Sequence, residues 1–312
     1  MPSRIREQFT RAYERLLLRE ISSVPTHVAV IQDGNRRFAR SQGSESTAGH
    51  RAGAQTTERV LRWCEDLGIE ELTLYAFSTE NFDRPPAERE ALFDLITDKL
   101  YEFADADHVH ESEVCIRAIG DRERLPVRVR DAIRYAERRT RHHDRFVLNA
   151  ALAYGGRSEL LGAAREVADA VATGSLDPSG IDVAEIERRL YDRPVRDVDL
   201  IIRTGGDERT SNFLPWHANG NEAAVFFCAP YWPEFSKVDF LRAIRTYESR
   251  EASWRRTRSE RAIALLRALG GVEIEEAGAA AGRLRESLPS GEAAELEIPP
   301  VEDADSGYEA AD

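Results

Sequence analysis

Lysine is nearly missing from this sequence: of 43 basic residues only Lys99 and Lys237 are lysines, and the rest are arginines. Acidic residues number 56, so the formal net charge is −13. With no excess of basic groups to neutralise phosphates, the composition argues against nonspecific nucleic-acid binding. Cysteine is scarce too. Cys64, Cys115 and Cys228 stand apart with no CxxC pair, which argues against zinc ribbons and disulfide frameworks and points to a reducing compartment. No apolar run approaches the roughly 18 residues that span a bilayer. The first twenty residues carry charges throughout, without a signal-peptide core, so a soluble, cytoplasmic protein is expected. Several chemical signatures are also lacking. No glycine-rich dinucleotide fingerprint follows the first apolar run, and neither lysine follows a glycine as a phosphate-binding P-loop requires. No two aspartates are adjacent, which removes metal clusters of the Asp-Asp type.

What is present is a chain of 312 residues, 42% hydrophobic, long enough for one large α/β domain. Its dense carboxylates suit a salty cytoplasm, where they are screened rather than self-repelling, as in a halophilic archaeon; the richness in arginine is equally explained by genome composition. Ile5, Phe9, Tyr13, Leu16 and Leu17 recur at helical spacing, which predicts an amphipathic leading helix within residues 1–24. Short apolar runs at 27–32, 72–77, 114–119, 146–153, 198–204 and 223–229 read as six strands. The first is followed by a polar loop and a helix ending near Gly68. Further helical patterns cover 86–105, opened by proline, and 126–141, 156–173 and 182–191. This alternation predicts a single α/β domain over 25–270, with a central, mostly parallel six-stranded sheet flanked by helices. From about residue 275 the composition turns to Ala, Glu, Gly, Pro and Ser, and 275–312 reads as an acidic, disordered tail.

In such sheets ligands sit beyond the carboxyl ends of the strands. After the first strand comes Asp33-Gly34-Asn35-Arg36-Arg37: a carboxylate able to hold a divalent ion, a glycine for a tight turn, and two planar phosphate donors. Alone, this is equally an ordinary turn. The second strand ends in Ser78-Thr79-Glu80-Asn81-Phe82-Asp83-Arg84, which supplies more polar groups than a helix cap needs. The fifth ends in Arg203-Thr204-Gly205-Gly206-Asp207-Glu208-Arg209-Thr210-Ser211, where paired glycines and arginines suit an anion. His50, in Gly49-His50-Arg51-Ala52-Gly53, falls near a helix start, from which it can reach a bound phosphate. Glu222 before the last strand reads either as an ion-pair partner or as a metal ligand.

Taken in order, the segments HVAVIQDGNRRFAR, GHRAG, LTLYAFSTENFDRP, LNAALAYGGRSEL and DLIIRTGGDERTSNFLPW, with Glu222 beyond them, resemble the cis-prenyltransferases, the family of undecaprenyl and dehydrodolichyl diphosphate synthases. The likeness runs from about His27 to Arg250. It implies a fold enclosing a hydrophobic tunnel, with Leu92, Phe93 and Ile96 near its wall. It implies that isopentenyl diphosphate is condensed with Z geometry onto an allylic diphosphate, geranylgeranyl diphosphate for an archaeal member, to give a long polyprenyl diphosphate for a glycosyl carrier lipid. By the same resemblance Asp33 and Glu222 are Mg²⁺ contacts. Asp33 assists departure of the allylic diphosphate, and Gly34, Asn35, Arg36, Arg37, Phe38 and His50 grip it. Ser78, Thr79 and Glu80 belong to a mobile segment beside the substrates, and Phe82 is a further substrate-binding residue. Asn81 helps remove the proton from isopentenyl diphosphate, and Arg84, Arg203, Arg209, Thr210 and Ser211 bind that substrate. A homodimer is implied, as is peripheral contact with a membrane for product release. Arg36 stands where bacterial members commonly have a second glycine, and Phe38 and Phe82 replace tryptophans. The Asn-Arg-Arg-aromatic form resembles the archaeal and eukaryotic branch. Two other readings are a non-catalytic partner subunit of an active homologue and a short-chain synthase. The first would be expected to lose Asp33 or the arginine loops, all of which are present here.

Overall fold

The run His-Val-Ala-Val-Ile is buried at every position, as a strand covered on both faces must be, and it forms β1 (His27–Ile31) at the centre of a sheet. The computed structural model describes residues 2–190, 196–219 and 223–268; Glu222 and the tail 275–312 lie outside the described residues. The helices are α1 (Pro2–Glu20), α2 (Asn35–Ser41), α3 (Ser46–Leu67), α4 (Pro86–Asp105), α5 (Asp107–Glu111), α6 (Val127–Thr140), α7 (Gly156–Ala172), α8 (Val183–Leu190), α9 (Pro215–Asn219) and α10 (Lys237–Ala268). The other strands are β2 (Glu71–Ser78), β3 (Val114–Ile119), β4 (Phe146–Tyr154), β5 (Leu200–Arg203) and β6 (Ala224–Phe227). All six expected strands form. The sheet is parallel in every pairing rather than mostly so, in the order β3-β4-β2-β1-β5-β6. The chain divides into two compact units, Met1–Arg250 and Glu251–Asp312, and the first contains the whole sheet.

One expectation here needs correction. The stretch after β1, read as a polar loop, is helix α2. Its sequence NRRFARS has too few apolar positions for a stripe, and Gly34 starts it by turning the backbone at φ 99°. His50 is the fifth residue of the 22-residue α3, near the start of that helix.

Residues alternate between the two faces of the sheet. Val28 and Val30 of β1 join the larger apolar cluster with Val60, Leu61, Phe93 and Phe240 from helices α3, α4 and α10, whereas Ala29 and Ile31 join the smaller one around Tyr154, Ile201 and Phe213. The β3 edge is closed by side chains: the Ile116 N–H donates to Thr140 Oγ1 at 3.0 Å, the Ala118 N–H to Glu137 Oε1 at 3.1 Å, and Arg122 to the Ala118 carbonyl. An edge so capped offers a poor template for strand addition. The order of strands places β1 between β2, which leads on to β4 and β3, and β5, which leads on to β6. That reversal opens a crevice at the carboxyl ends of β1 and β5.

Candidate active site

Asp33 and Arg203 meet in that crevice. The Asp33 Oδ2 accepts from Arg203 Nη2 at 2.8 Å, and its Oδ1 lies 3.1 Å from Arg37 Nη2 and accepts the Gly34 N–H at 2.6 Å. The backbone is pinned as well: the Asp33 N–H donates to Thr204 Oγ1, the Thr204 hydroxyl donates to the Asp33 carbonyl, and the Trp232 N–H donates to that same carbonyl. Burial alone would raise the pKa of the Asp33 carboxyl. The Arg203 hydrogen bond, the charges of Arg37 and Arg203 and the Gly34 N–H outweigh it and hold the group below its ordinary value. Asp33 is therefore an anion at neutral pH. A Cβ on Gly34 would lie 2.6 Å from a Tyr231 ring carbon, so this turn accepts glycine alone.

Arg203 is 3% exposed and its guanidinium is spread over four acceptors. Beyond Asp33 it donates to Ser211 Oγ at 2.6 Å, to the Arg209 carbonyl at 2.5 Å and to Asp207 Oδ2 at 3.1 Å. The loop it organises is tight, with Gly205, Gly206, Ser211 and Asn212 all at positive φ. Arg209 points outward and meets Asp207 at 3.1 Å, while Thr210 accepts the Phe213 N–H.

A second cluster lies where α4 begins. Glu88 holds Arg84 at 2.9 Å, Arg36 at 3.4 Å and His50 at 3.8 Å, and Arg84 Nη1 donates to His50 Nε2 at 3.3 Å. Burial first, and then the positive charge of Arg84, lowers the His50 pKa to about 4, so His50 is a neutral acceptor. The Arg84 charge also feels Asp33, which couples the two clusters. Together they hold five guanidiniums (Arg36, Arg37, Arg84, Arg203, Arg209) and three carboxylates (Asp33, Glu88, Asp207), a locally positive region on a chain of net charge −13.

Between them runs the turn Thr79–Asp83, fixed by Ser78. The Ser78 N–H donates to Asn81 Oδ1 at 3.1 Å, so Asn81 turns its amide into the crevice with its oxygen already engaged. Thr79 abuts Gly155, Glu80 is exposed, and Phe82 packs on Phe77 at 5.0 Å with Arg124 over its ring. Phe38 begins the hydrogen bonding of α2 by donating to the Gly34 carbonyl. Asn35 donates to the Gln32 carbonyl, while its Oδ1 is buried without a partner against Gly53, where a Cβ would come within 2.2 Å.

From this polar mouth an apolar cavity of about 190 Å³ runs between the sheet and helices α3 and α4. Asn35, His50, Asn81 and Arg84 border it; Leu74, Ala76, Leu92, Ile96, Leu100, Phe103, Ala150 and Trp232 line it. The bulge in β2 between Tyr75 and Phe77 falls at this wall. Phe93, expected near the cavity, instead turns to Phe77 and Phe82. Four residues here had not been singled out: Glu88, Asp207, Tyr231 and Trp232. Glu88 and Asp207 each stand four residues after the arginine they pair with, Arg84 and Arg203, but neither arginine lies in a helix, so that spacing alone does not announce the contact. Tyr231 and Trp232 arrive from a distant loop and carry no local signal.

An anionic hook, arginines and a neutral histidine at the mouth of an apolar cavity suit a ligand with a diphosphate head and a hydrocarbon tail. Comparison with known proteins agrees: residues 31–255 match the prenyltransferase family model described as undecaprenyl diphosphate synthase. The chain belongs to the cis-prenyltransferase family. A cis-prenyltransferase from Halobacterium salinarum, named tritrans,polycis-undecaprenyl-diphosphate synthase (geranylgeranyl-diphosphate specific), is 65% identical over 312 residues, covering 100% of both chains. One of the same name from Haloarcula marismortui is 65% identical over 92% of this chain and 94% of its own. Among solved structures, lavandulyl diphosphate synthase from Lavandula x intermedia in complex with dimethylallyl diphosphate superposes with a TM-score of 0.66 at 34% identity, covering 72% of this chain and 95% of that one. The cis-prenyltransferase fold thus accounts for the sheet order and for the crevice.

Proposed function

We propose that this cis-prenyltransferase adds isopentenyl diphosphate units with Z geometry to geranylgeranyl diphosphate and releases an undecaprenyl-like diphosphate, the precursor of a glycosyl carrier lipid. The observation that carries this reading is the union of the Asp33–Arg203 crevice with the apolar cavity beneath it. The starter follows the names of the two halophile relatives.

The allylic diphosphate lies over the α2 turn, where the backbone N–H groups after Gly34, with Asn35, Arg36 and Arg37, offer donors, and neutral His50 adds a ring nitrogen. Its tail enters the cavity. Isopentenyl diphosphate takes the side of Arg203, Arg209, Thr210 and Ser211, with Arg84 between the two heads. Two diphosphates repel one another, and the excess of guanidiniums offsets that repulsion. Holding the allylic carbon against the homoallylic double bond makes a bimolecular step effectively unimolecular. The allylic C–O bond breaks, its electrons leave with diphosphate, the new C–C bond forms, and a proton departs from the isopentenyl unit. The arginines stabilise charge developing on the leaving oxygens. Asn81, its oxygen held by Ser78, keeps the isopentenyl unit aligned for that proton loss.

Magnesium fits the donors present. Asp33 is an ionised, partly accessible carboxylate, and among the described residues no three acidic, histidine or cysteine side chains form a cage. An ion held by one protein carboxylate and completed by phosphate oxygens and water is the usual habit of Mg²⁺. Asp33 would hold it, with Glu222 as a second acidic contact, and when bound it supplies further charge neutralisation to the departing diphosphate.

Incorporation of labelled isopentenyl diphosphate into solvent-extractable lipid tests the reading. It should require both Mg²⁺ and an allylic starter. A folded protein that binds both diphosphates yet incorporates no label with any starter would instead be a non-catalytic subunit. A homodimer is part of the proposal: the half-buried Phe226 and Phe227 lie on the edge strand β6, opposite the capped β3 edge. Sedimentation as a monomer in high salt would contradict it.

A further inference from the structure

Two histidines face each other at the corner where α4 ends and β3 begins, at the opposite end of the strands from the Asp33 crevice. His110, in α5, brings its Nε2 to 3.0 Å from the Ala104 carbonyl in the last turn of α4. His143, in the turn between α6 and β4, brings its Nδ1 to 2.9 Å from the Val114 carbonyl at the start of β3. A carbonyl oxygen only accepts, so in both rings that nitrogen carries the proton. Each neutral imidazole is thereby held in one tautomer, with a lone pair on His110 Nδ1 and another on His143 Nε2. These two nitrogens lie 3.4 Å apart, with the ring planes at 79°. Binding the Ala104 and Val114 carbonyls accounts for one nitrogen of each ring. It leaves the other two unexplained, as two acceptors turned toward one another.

We propose that His110 and His143 form a two-histidine site for a divalent transition-metal ion, zinc by its geometry, which ties α5 to the α6–β4 turn. Zinc–imidazole bonds of about 2.0–2.1 Å at a tetrahedral angle set two ligating nitrogens about 3.3–3.4 Å apart. The observed spacing meets that value. It also exceeds the roughly 2.9–3.0 Å of a good hydrogen bond, so an ion suits it better than a shared proton. The outward bonds fit as well. A ligating histidine ordinarily donates its second ring N–H to a carbonyl or carboxylate, which orients the ring and makes the other nitrogen more basic; both rings do so here. The stretch 105–113 holds Asp105, Asp107, Glu111 and Glu113 and no lysine or arginine, so its field attracts a cation. Among the described residues no third acidic, histidine or cysteine side chain joins the pair. Both rings are half-buried, so water reaches the remaining positions and binding is reversible. Imidazole ligands favour zinc over Mg²⁺, which seeks oxygen, and this separates the site chemically from the diphosphate crevice. Helix α4 lines the apolar cavity through Leu92, Ile96, Leu100 and Phe103, and an ion here braces the carboxyl end of that wall.

The test is titration of the chelator-stripped, full-length protein with Zn²⁺, with Mg²⁺ present throughout. The parent should take up zinc saturably in the micromolar range, and its melting temperature should rise with zinc concentration. His110→Gln and His143→Gln should each weaken uptake by more than about tenfold, the least that disturbing a metal site's ligands costs. Glutamine can still donate to the carbonyls, so melts of both variants in chelator should stay near the parent's. Asp33→Ala and His50→Gln should bind zinc as the parent does. X-ray absorption at the zinc edge should show imidazole nitrogen at about 2.0 Å. Absence of saturable uptake would mean that the two rings share a proton, and overturns the proposal. Uptake unchanged in His110→Gln/His143→Gln overturns it too, as does uptake lost in Asp33→Ala, which would assign the ion to the crevice. Should the histidine variants melt early in chelator, the absorption spectrum of the parent decides, and a shell without imidazole refutes the site. None of these readouts needs turnover, so they stand whether or not the prenyl-transfer reading holds.

Discussion

Arg203 binds Asp33, Ser211, Asp207 and the Arg209 carbonyl at once, so one guanidinium fixes the carboxylate of β1 and shapes the loop after β5. Its rigidity is what leaves Asp33 ionised and aimed. Asp33→Ala should keep the fold and lower kcat by about 10²–10³-fold or more, the scale for removing a group that acts on developing charge. Near-normal kcat in that variant would contradict the role given to Asp33. His50 makes a pH prediction with a definite sign. Its folded pKa of about 4 lies below the ordinary 6.5, so the unfolded chain binds the extra proton and stability present above about pH 6.5 is lost as the pH falls toward 4. The slope from this group approaches about 1.4 kcal/mol per pH unit. His27, lowered by burial, acts in the same direction. Thermal melts between pH 7 and 4.5 should show a smaller decline for His50→Gln than for the parent; an identical decline would show that His50 is not buried as a neutral ring. Sequence exposes the site residues that sit in strand-end motifs. It is silent on Tyr231 and Trp232, because their contact with Gly34 and Gly53 depends on how a distant loop packs.

At the level of elements, strands are the most legible part, because β1 and β5 are buried at every position and β4 at seven of nine, so apolar residues dominate each run even with His27, Asn149 and Arg203 in them. Helix α2 was hidden by its polar composition. The long helix α10 gives a weak signal in sequence because charged residues are frequent along it and, among the described residues, Phe240, Leu241, Ala243 and Ile244 mark its buried side. The cavity wall is likewise a property of packing: Leu92 and Ile96 of α4, Ala76 of β2 and Ala150 of β4 meet only in three dimensions. Small residues on the two strands leave the space the helices bound. Ala150→Phe should fill part of it and shift products to shorter chains, with first-addition turnover largely retained. A folded variant whose products keep the parent length would show that the growing chain does not pass Ala150.

The whole molecule combines a net charge of −13 with a locally positive crevice. Self-repulsion of that charge is relieved by salt. Melting temperature should therefore rise between 0.1 and 2 M KCl, by about 3 °C for each kcal/mol of repulsion relieved; a fall would mean that attractive ion pairs outweigh the excess of carboxylates. The same positive crevice has to hold two diphosphates while a hydrocarbon tail grows away from them. The most direct measurement of that central claim is the length and double-bond geometry of the products formed from labelled isopentenyl diphosphate and geranylgeranyl diphosphate with Mg²⁺. The expected result is a ladder of polyprenyl diphosphates whose added units are all Z and which ends at a long chain. Products with E units, or no elongation by folded protein that binds both substrates, would contradict it.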